Sequence, residues 1–210
     1  MPNHYQLNRR LVQLCPLAEH AQPFCVLFVD LDNSKEINDG YGHRFGDELL
    51  IQLADRLGGV NRGADFLARI GGGEFVVVMH DVSDPYEAEM FAVNIQYTVA
   101  KPFVVEEHEL SVTVIIGLAF YPQDGEDATC LLQHADQAMY TAKDAGRDSI
   151  YFFNFELRDQ ADSQIEIHQS LVSGLKNKQF SLHCQPIIDL NTGQFIKCEA
   201  LLRWQHPGKV

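Results

Sequence analysis

Basic residues are scarce in this chain. Its 210 residues hold 16 lysines and arginines against 29 aspartates and glutamates, a formal charge of -13. A field of that sign repels nucleic-acid polymers and anionic membranes, although a local basic pocket can still hold single nucleotides. Long apolar runs are missing as well. The longest, Val112 to Tyr121, is interrupted by Thr113 and Gly117 and falls far short of the ~20 residues a membrane-spanning helix needs. The start of the chain lacks the basic-then-apolar pattern of a signal peptide. The five cysteines, Cys15, Cys25, Cys130, Cys184 and Cys198, include no C-x-x-C pair; an odd count without a spacing pattern fits reduced thiols and a cytoplasmic location. What is present is 46% hydrophobic content, enough to bury the core of one ordinary domain and supply part of another.

The chain is organised around Arg69-Ile70-Gly71-Gly72-Gly73-Glu74-Phe75, followed by Val76 to Met79. Three glycines between two apolar runs read as a tight β-hairpin, because glycine takes positive φ without steric cost. Backbone that bare lets a charged group come close, and with Glu74 beside it the tip suits nucleotide phosphates and their cations. By itself the string reads equally well as a hairpin without chemistry, since short glycine motifs recur by chance.

Around this hairpin the apolar periodicity lays out the other elements. Tyr5 to Glu19 carries Leu7, Leu11, Leu14 and Leu17 at helical spacing. Phe24 to Leu31 is a continuous apolar run ending in an acid, a buried central strand with Asp30 and Asp32 at its edge. Asp30 is the better magnesium ligand there, and Asp32 also reads as an N-cap for the next helix. A short helix ends at Gly40, and a second begins near Arg44 with Leu49, Leu50, Leu53 and Leu57 inward. A helix from Asp84 to Ala100, a turn at Glu106 to Glu109, a strand from Leu110 to Tyr121, a helix from Asp127 to Ala145 and a strand from Ser149 to Phe153 follow. The order β-α-α-β-β-α-β-β-α-β predicts an α+β fold, with helices flanking a central, mainly antiparallel sheet.

The signature Gly71-Gly72-Gly73-Glu74-Phe75, with Asp30, Asn38, Asp47, Lys143 and Arg147 in order about it, resembles the GGDEF family of diguanylate cyclases. These enzymes join two GTP molecules into cyclic di-GMP. The resemblance runs to about Phe153 and implies the nucleotidyl cyclase and polymerase-palm type of fold. It implies that Asp30 and the carbonyl of Leu31 bind Mg²⁺, that Asn38 and Asp47 read the guanine edge, and that Lys143 and Arg147 hold the triphosphate. Lys35 would lie near the phosphates, and with Glu74 would carry whatever catalysis remains. Arg62-Gly63-Ala64-Asp65, with five residues between it and Gly71, matches the family's R-x-x-D inhibitory site for cyclic di-GMP. Read from its residues alone, that segment is a surface turn with a local ion pair.

Three positions depart from the family. Gly73 stands where an acid binds metal, Ser34 stands where an aromatic is usual, and Asn33 is uncommon. Without that acid the two-metal clamp on the attacking and leaving oxygens is incomplete. A loss of ~3–4 kcal/mol of transition-state stabilisation slows the reaction a few hundred-fold. The reading is therefore a degenerate cyclase. Three functions stay open at this point: a module binding GTP or cyclic di-GMP, a nucleotide-free spacer or homodimerisation domain, and a weak cyclase.

Two further segments match by resemblance. Pro2 to Arg10 looks like the end of the family's N-terminal wide-turn motif, so a sensory region is expected ahead of it. After a polar helical linker over 154–178, residues 179–210 resemble the opening of an EAL phosphodiesterase domain. Gln185-Pro186-Ile187 stands at family spacing ahead of Glu199-Ala200-Leu201-Leu202-Arg203-Trp204. The resemblance implies that Glu199 binds metal and that Gln185 and Arg203 contact cyclic di-GMP. A full barrel takes ~250 residues, so this piece is expected to be inactive alone.

Overall fold

The strand β1 (Phe24–Leu31) is buried along its whole length, with a neighbour on either edge and helices over both faces. The computed structural model describes residues 1–15, 22–60, 66–154, 167–189 and 194–205. It divides into two compact units, Met1–Ala161 and Asp162–Val210.

In the first unit, α1 (His4–Leu14) precedes β1, and α2 (Ser34–Tyr41) and α3 (His43–Val60) follow it. Then come β2 (Phe66–Gly71), β3 (Glu74–His80), α4 (Pro85–Val99), β4 (Phe103–Val105), β5 (His108–Leu110), β6 (Val114–Tyr121), α5 (Ala128–Ala145) and β7 (Ile150–Phe152). The main sheet has the order β2-β3-β1-β6-β7. Its pairings are antiparallel except β6 with β7, where α5 supplies the crossover that a parallel pair requires. The expected α+β class with a mainly antiparallel sheet is the class observed.

Alternation along β1 assigns its side chains to two cores. Cys25, Leu27, Val29 and Leu31 join the core built with α3 and α4, while Phe24, Val26 and Phe28 join the core built with α1 and α5. Asp30 follows in the second series and so lies on the α5 face. Gly117 on β6 brings α5 close: a Cβ there would stand 2.2 Å from Ala135 O and 2.3 Å from Met139 N.

The helix limits follow their caps. Asp84 accepts from Tyr86 N and starts α4, and Asp127 accepts from Cys130 N and starts α5. Helix α2 runs one residue past Gly40 and ends at Gly42, whose φ of +88° suits glycine. The strand expected over Leu110–Tyr121 is instead two, β5 and β6, because Asp32 N donates to Thr113 O at 3.0 Å and takes that stretch out of the hairpin. Residues 16–19 of the expected first helix lie outside the described residues.

The second unit, taken by itself, has a helix α6 over residues 167–176 and the antiparallel strands β8 (Phe180–Ile188) and β9 (Phe195–Trp204). Phe180 and Trp204 stack with ring centres 5.3 Å apart. Gly174 of α6 lies against both, since a Cβ there would meet Trp204 Nε1 at 2.8 Å and Phe180 Cε2 at 3.0 Å. The stretch read as a linker over 154–178 thus contains a helix that packs on this hairpin.

Candidate active site

At the glycine hairpin, Gly71 of β2 pairs with Glu74 of β3, leaving Gly72 and Gly73 as the turn. Gly72 has φ +46°, a left-handed conformation that favours glycine. Arg69 holds the tip by donating from Nε and Nη2 to Gly72 O, at 3.2 and 2.9 Å. Gly73 is buried, and its carbonyl accepts from Leu31 N at 3.1 Å. The nearest atoms to a Cβ at Gly73 would be Leu31 Cβ at 3.0 Å and Ser34 Cβ at 3.3 Å. Position 73 thus faces the turn from β1 into α2.

Asp30 has a different neighbour across the sheet. It stands directly opposite Glu74 in the β1–β3 register, with both on the α5 face. Its Oδ2 accepts from Lys143 Nζ at 2.7 Å, and the Asp30 side chain is 8% exposed against 53% for Lys143. This hydrogen bond raises the Lys143 pKa above its ordinary value, against a smaller opposing effect of burial. Partial burial pushes the Glu74 carboxyl up, and the negative charges of Asp30 and Asp136 push it further, opposed by Lys143. Asp136 is raised by burial and by Asp30. It lies seven residues before Lys143 on α5, two turns along the same side of the helix. That spacing is the sequence signal that would have picked it out.

Asp32 proves to be a structural residue. It is 6% exposed, and its Oδ2 accepts from Thr113 Oγ1 at 2.6 Å and Asp148 N at 3.2 Å. Asn33, not Asp32, takes the N-cap position of α2, with left-handed φ of 57° and no side-chain cap bond. The alternative reading of Asp32 as that cap is corrected accordingly.

The two residues expected to read guanine, Asn38 and Asp47, lie about a second bare backbone position. The Asn38 amide lies against Gly46, where a Cβ would fall 2.0 Å from Asn38 Oδ1. Asp47 is the next residue, exposed in the second turn of α3. Tyr41 stacks on Phe45 with centres 4.6 Å apart, and His108 meets both edge-on, which braces this turn from the β4–β5 hairpin. Lys35 is exposed in the first turn of α2. Arg147 is exposed and lies beyond the α5 C-cap Gly146, so Lys143 alone of the expected pair is within the helix. Arg62 and Asp65 lie outside the described residues. In the second unit, Gln185 is opposite Glu199 and Ser181 opposite Arg203; alternation puts Gln185, Glu199 and Arg203 on one exposed face of the hairpin.

Magnesium requires oxygen donors free to receive it. Here Asp30 Oδ2 is engaged by Lys143, and Gly73 brings no carboxylate. Among the described residues no group of three or more His, Cys, Asp or Glu side chains is arranged to hold a metal ion. This donor set does not fit a resident metal pair.

The family model for the diguanylate cyclase GGDEF domain matches residues 1–149, and that for the EAL domain matches residues 168–210. The bifunctional diguanylate cyclase/cyclic di-GMP phosphodiesterase MucR of Pseudomonas aeruginosa is 39% identical over 208 residues, covering 99% of this chain and 30% of MucR. The cyclic di-GMP phosphodiesterase PdeR of Escherichia coli is 36% identical, covering 87% of this chain and 27% of PdeR. The chain therefore spans less than a third of the length of these relatives. The GGDEF domain of YfiN (TpbB) from Pseudomonas aeruginosa matches with a TM-score of 0.70 at 36% identity, over 72% of this chain and 96% of that one. An active GGEEF domain of a diguanylate cyclase from Vibrio cholerae matches with a TM-score of 0.66 at 28% identity, over 73% and 97%. Its signature has an acid where this chain has Gly73. Over residues 1–149 the chain belongs to the GGDEF family of diguanylate cyclase domains, and it continues into the opening of an EAL domain.

Proposed function

We propose that this GGDEF domain is a degenerate cyclase that binds GTP or cyclic di-GMP and thereby regulates the phosphodiesterase part of a bacterial GGDEF-EAL signalling protein in the cytoplasm. The observation that carries this reading is the pairing of a glycine at signature position three with an Asp30 whose carboxylate is held by Lys143. The elements that would grip a nucleotide remain: Asn38 against Gly46, Asp47 on α3, and Lys35, Lys143 and Arg147 for the phosphates. The R-x-x-D segment favours cyclic di-GMP as the regulatory ligand. A turn that binds product is useful to a domain making little product only if the domain senses it.

Melting the chain with each ligand tests the reading. A ligand at 100 times its dissociation constant adds ~2.7 kcal/mol, roughly 5–10 °C for a chain of this size. No shift with GTP or cyclic di-GMP would leave only a spacer role. Calorimetry with cyclic di-GMP should lose roughly ten- to hundredfold in affinity on Arg62→Ala, the worth of one charge-assisted guanidinium fork. The second reading, a weak cyclase, is favoured by Glu74 standing opposite Asp30. It is separated by assaying product from GTP at high protein concentration.

A further inference from the structure

We propose that Lys143 is a built-in cation that takes the place of the divalent metal beside Asp30, so that the domain binds GTP without needing magnesium. The inference rests on the nucleotide-binding reading above and adds how the charge of the bound phosphates is met.

Three observations converge on it. First, Lys143 Nζ lies 2.7 Å from Asp30 Oδ2, and Asp30 is nearly buried. A buried carboxylate must be paired, whether by an ion or by a side chain, and here a side chain supplies the charge. Second, the Lys143 side chain is half exposed. An ammonium has three N–H donors, so donation to Asp30 leaves two that can point outward to a phosphate oxygen. A single positive charge then stands between a carboxylate and a phosphate, as a divalent cation would. Third, Gly73 supplies no second carboxylate. The turn from β1 into α2 therefore carries one negative charge fewer than it would with an acid at position 73, and the draw on a divalent ion there is weaker.

The placement follows from the backbone. Gly117 removes the side chain that would hold α5 away from the sheet: a Cβ there would collide with Ala135 O and Met139 N. Close approach of α5 to β1 brings Lys143, one turn beyond Met139, within hydrogen-bond range of Asp30 at the strand end.

Two measurements on the whole chain test this. In calorimetry with GTP, the dissociation constant should change less than about threefold between buffers containing magnesium and buffers containing EDTA. A loss of tenfold or more in EDTA overturns the proposal. The second measurement needs no nucleotide, so it stands even if the chain proves not to bind GTP: manganese is titrated into the protein and free Mn²⁺ is followed by electron paramagnetic resonance. The original chain should leave millimolar Mn²⁺ free, while Lys143→Met and, as a second variant, Lys143→Gln should bind it at least tenfold more tightly. Asp30→Asn added to either variant should remove that gain. Manganese binding by the original chain as tight as in both variants would overturn the proposal. So would failure of both folded variants to gain it. Absence of GTP binding in every buffer, with the manganese gain present, would refute the nucleotide reading while leaving the internal cation in place.

Discussion

Asp30 of β1 and Glu74 of β3 are direct cross-strand partners on the face covered by α5, two acids side by side at the end of a buried strand. Partial burial, and after it the like charge of Asp30 across the strands, raise the Glu74 pKa above its ordinary 4.5. The sign of the stability effect follows. The folded chain holds the Glu74 proton more tightly than the unfolded chain, so the native state is favoured below pH 4.5 and loses stability as pH rises through the raised value. Glu74→Gln should therefore melt higher than the original at pH 7, by roughly 1–2 °C, and depend less on pH above 4.5. An unchanged or lower melting temperature at pH 7 would contradict the assignment.

Thr113 and Asp32 make a second testable pair, structural this time. Thr113→Val keeps the shape but removes the Oγ1 donor to Asp32 Oδ2. A buried carboxylate losing one of its donors costs about 1–3 kcal/mol, which urea denaturation would register as a lower midpoint at unchanged slope. Nucleotide and manganese binding should stay as they were, because Asp32 keeps its bond from Asp148 N, which anchors the chain after α5, and its charge is unchanged. A variant with unchanged stability and weakened ligand binding would reverse that division between Asp30 and Asp32.

Much of this was legible along the chain. The β1 limits follow from one apolar run, and α4 and α5 begin where Asp84 and Asp127 offer caps. The signature, Asn38 and Asp47 are local patterns that a sequence displays directly. The bond between Lys143 and Asp30 was not legible, because it joins residues 113 positions apart and depends on how closely α5 sits on Gly117. Asp136 was missed although its spacing of seven residues from Lys143, on the same side of α5, is visible in the sequence. The break between β5 and β6 was hidden because Thr113 leaves the hairpin to meet Asp32, a partner far away in sequence. Helix spacing, by contrast, ran correctly through α3, where Leu49, Leu50, Leu53 and Leu57 are all buried.

Gly117 gives a prediction about how the site is held. Gly117→Ala places a methyl 2.2 Å from one backbone atom of α5 and 2.3 Å from another, and neither can rotate away. Forced repacking of this kind costs about 1–3 kcal/mol or more, so the melting temperature should fall by roughly 2–10 °C. Gly58→Ala is the matched control: nothing lies within 4 Å of its Cβ, and in a helix it should stabilise by about 0.5–1 kcal/mol. Equal behaviour of the two variants would mean that α5 does not depend on the bare strand position.

The signature position itself gives the sharpest test. Gly73 is not in the left-handed region, so its backbone accepts any residue, and the only demand is space. A Cβ would stand 3.0 Å from Leu31 Cβ and 3.3 Å from Ser34 Cβ, contacts that need a few tenths of an ångström of give beside a small serine. The carboxylate of Gly73→Asp would then lie over the turn from β1 into α2, where the family resemblance puts the Leu31 carbonyl in the metal site. The variant should fold with a cost of no more than about 1–2 kcal/mol. It should also bind GTP more tightly in magnesium than in EDTA, by tenfold or more, where the original chain makes little distinction. Full cyclase activity is not expected to return with it, because Asn33 and Ser34 remain. Equal GTP affinity with and without magnesium in folded Gly73→Asp would show that position 73 is not the missing ligand, and that this site is built on a different donor set from that of the active cyclases.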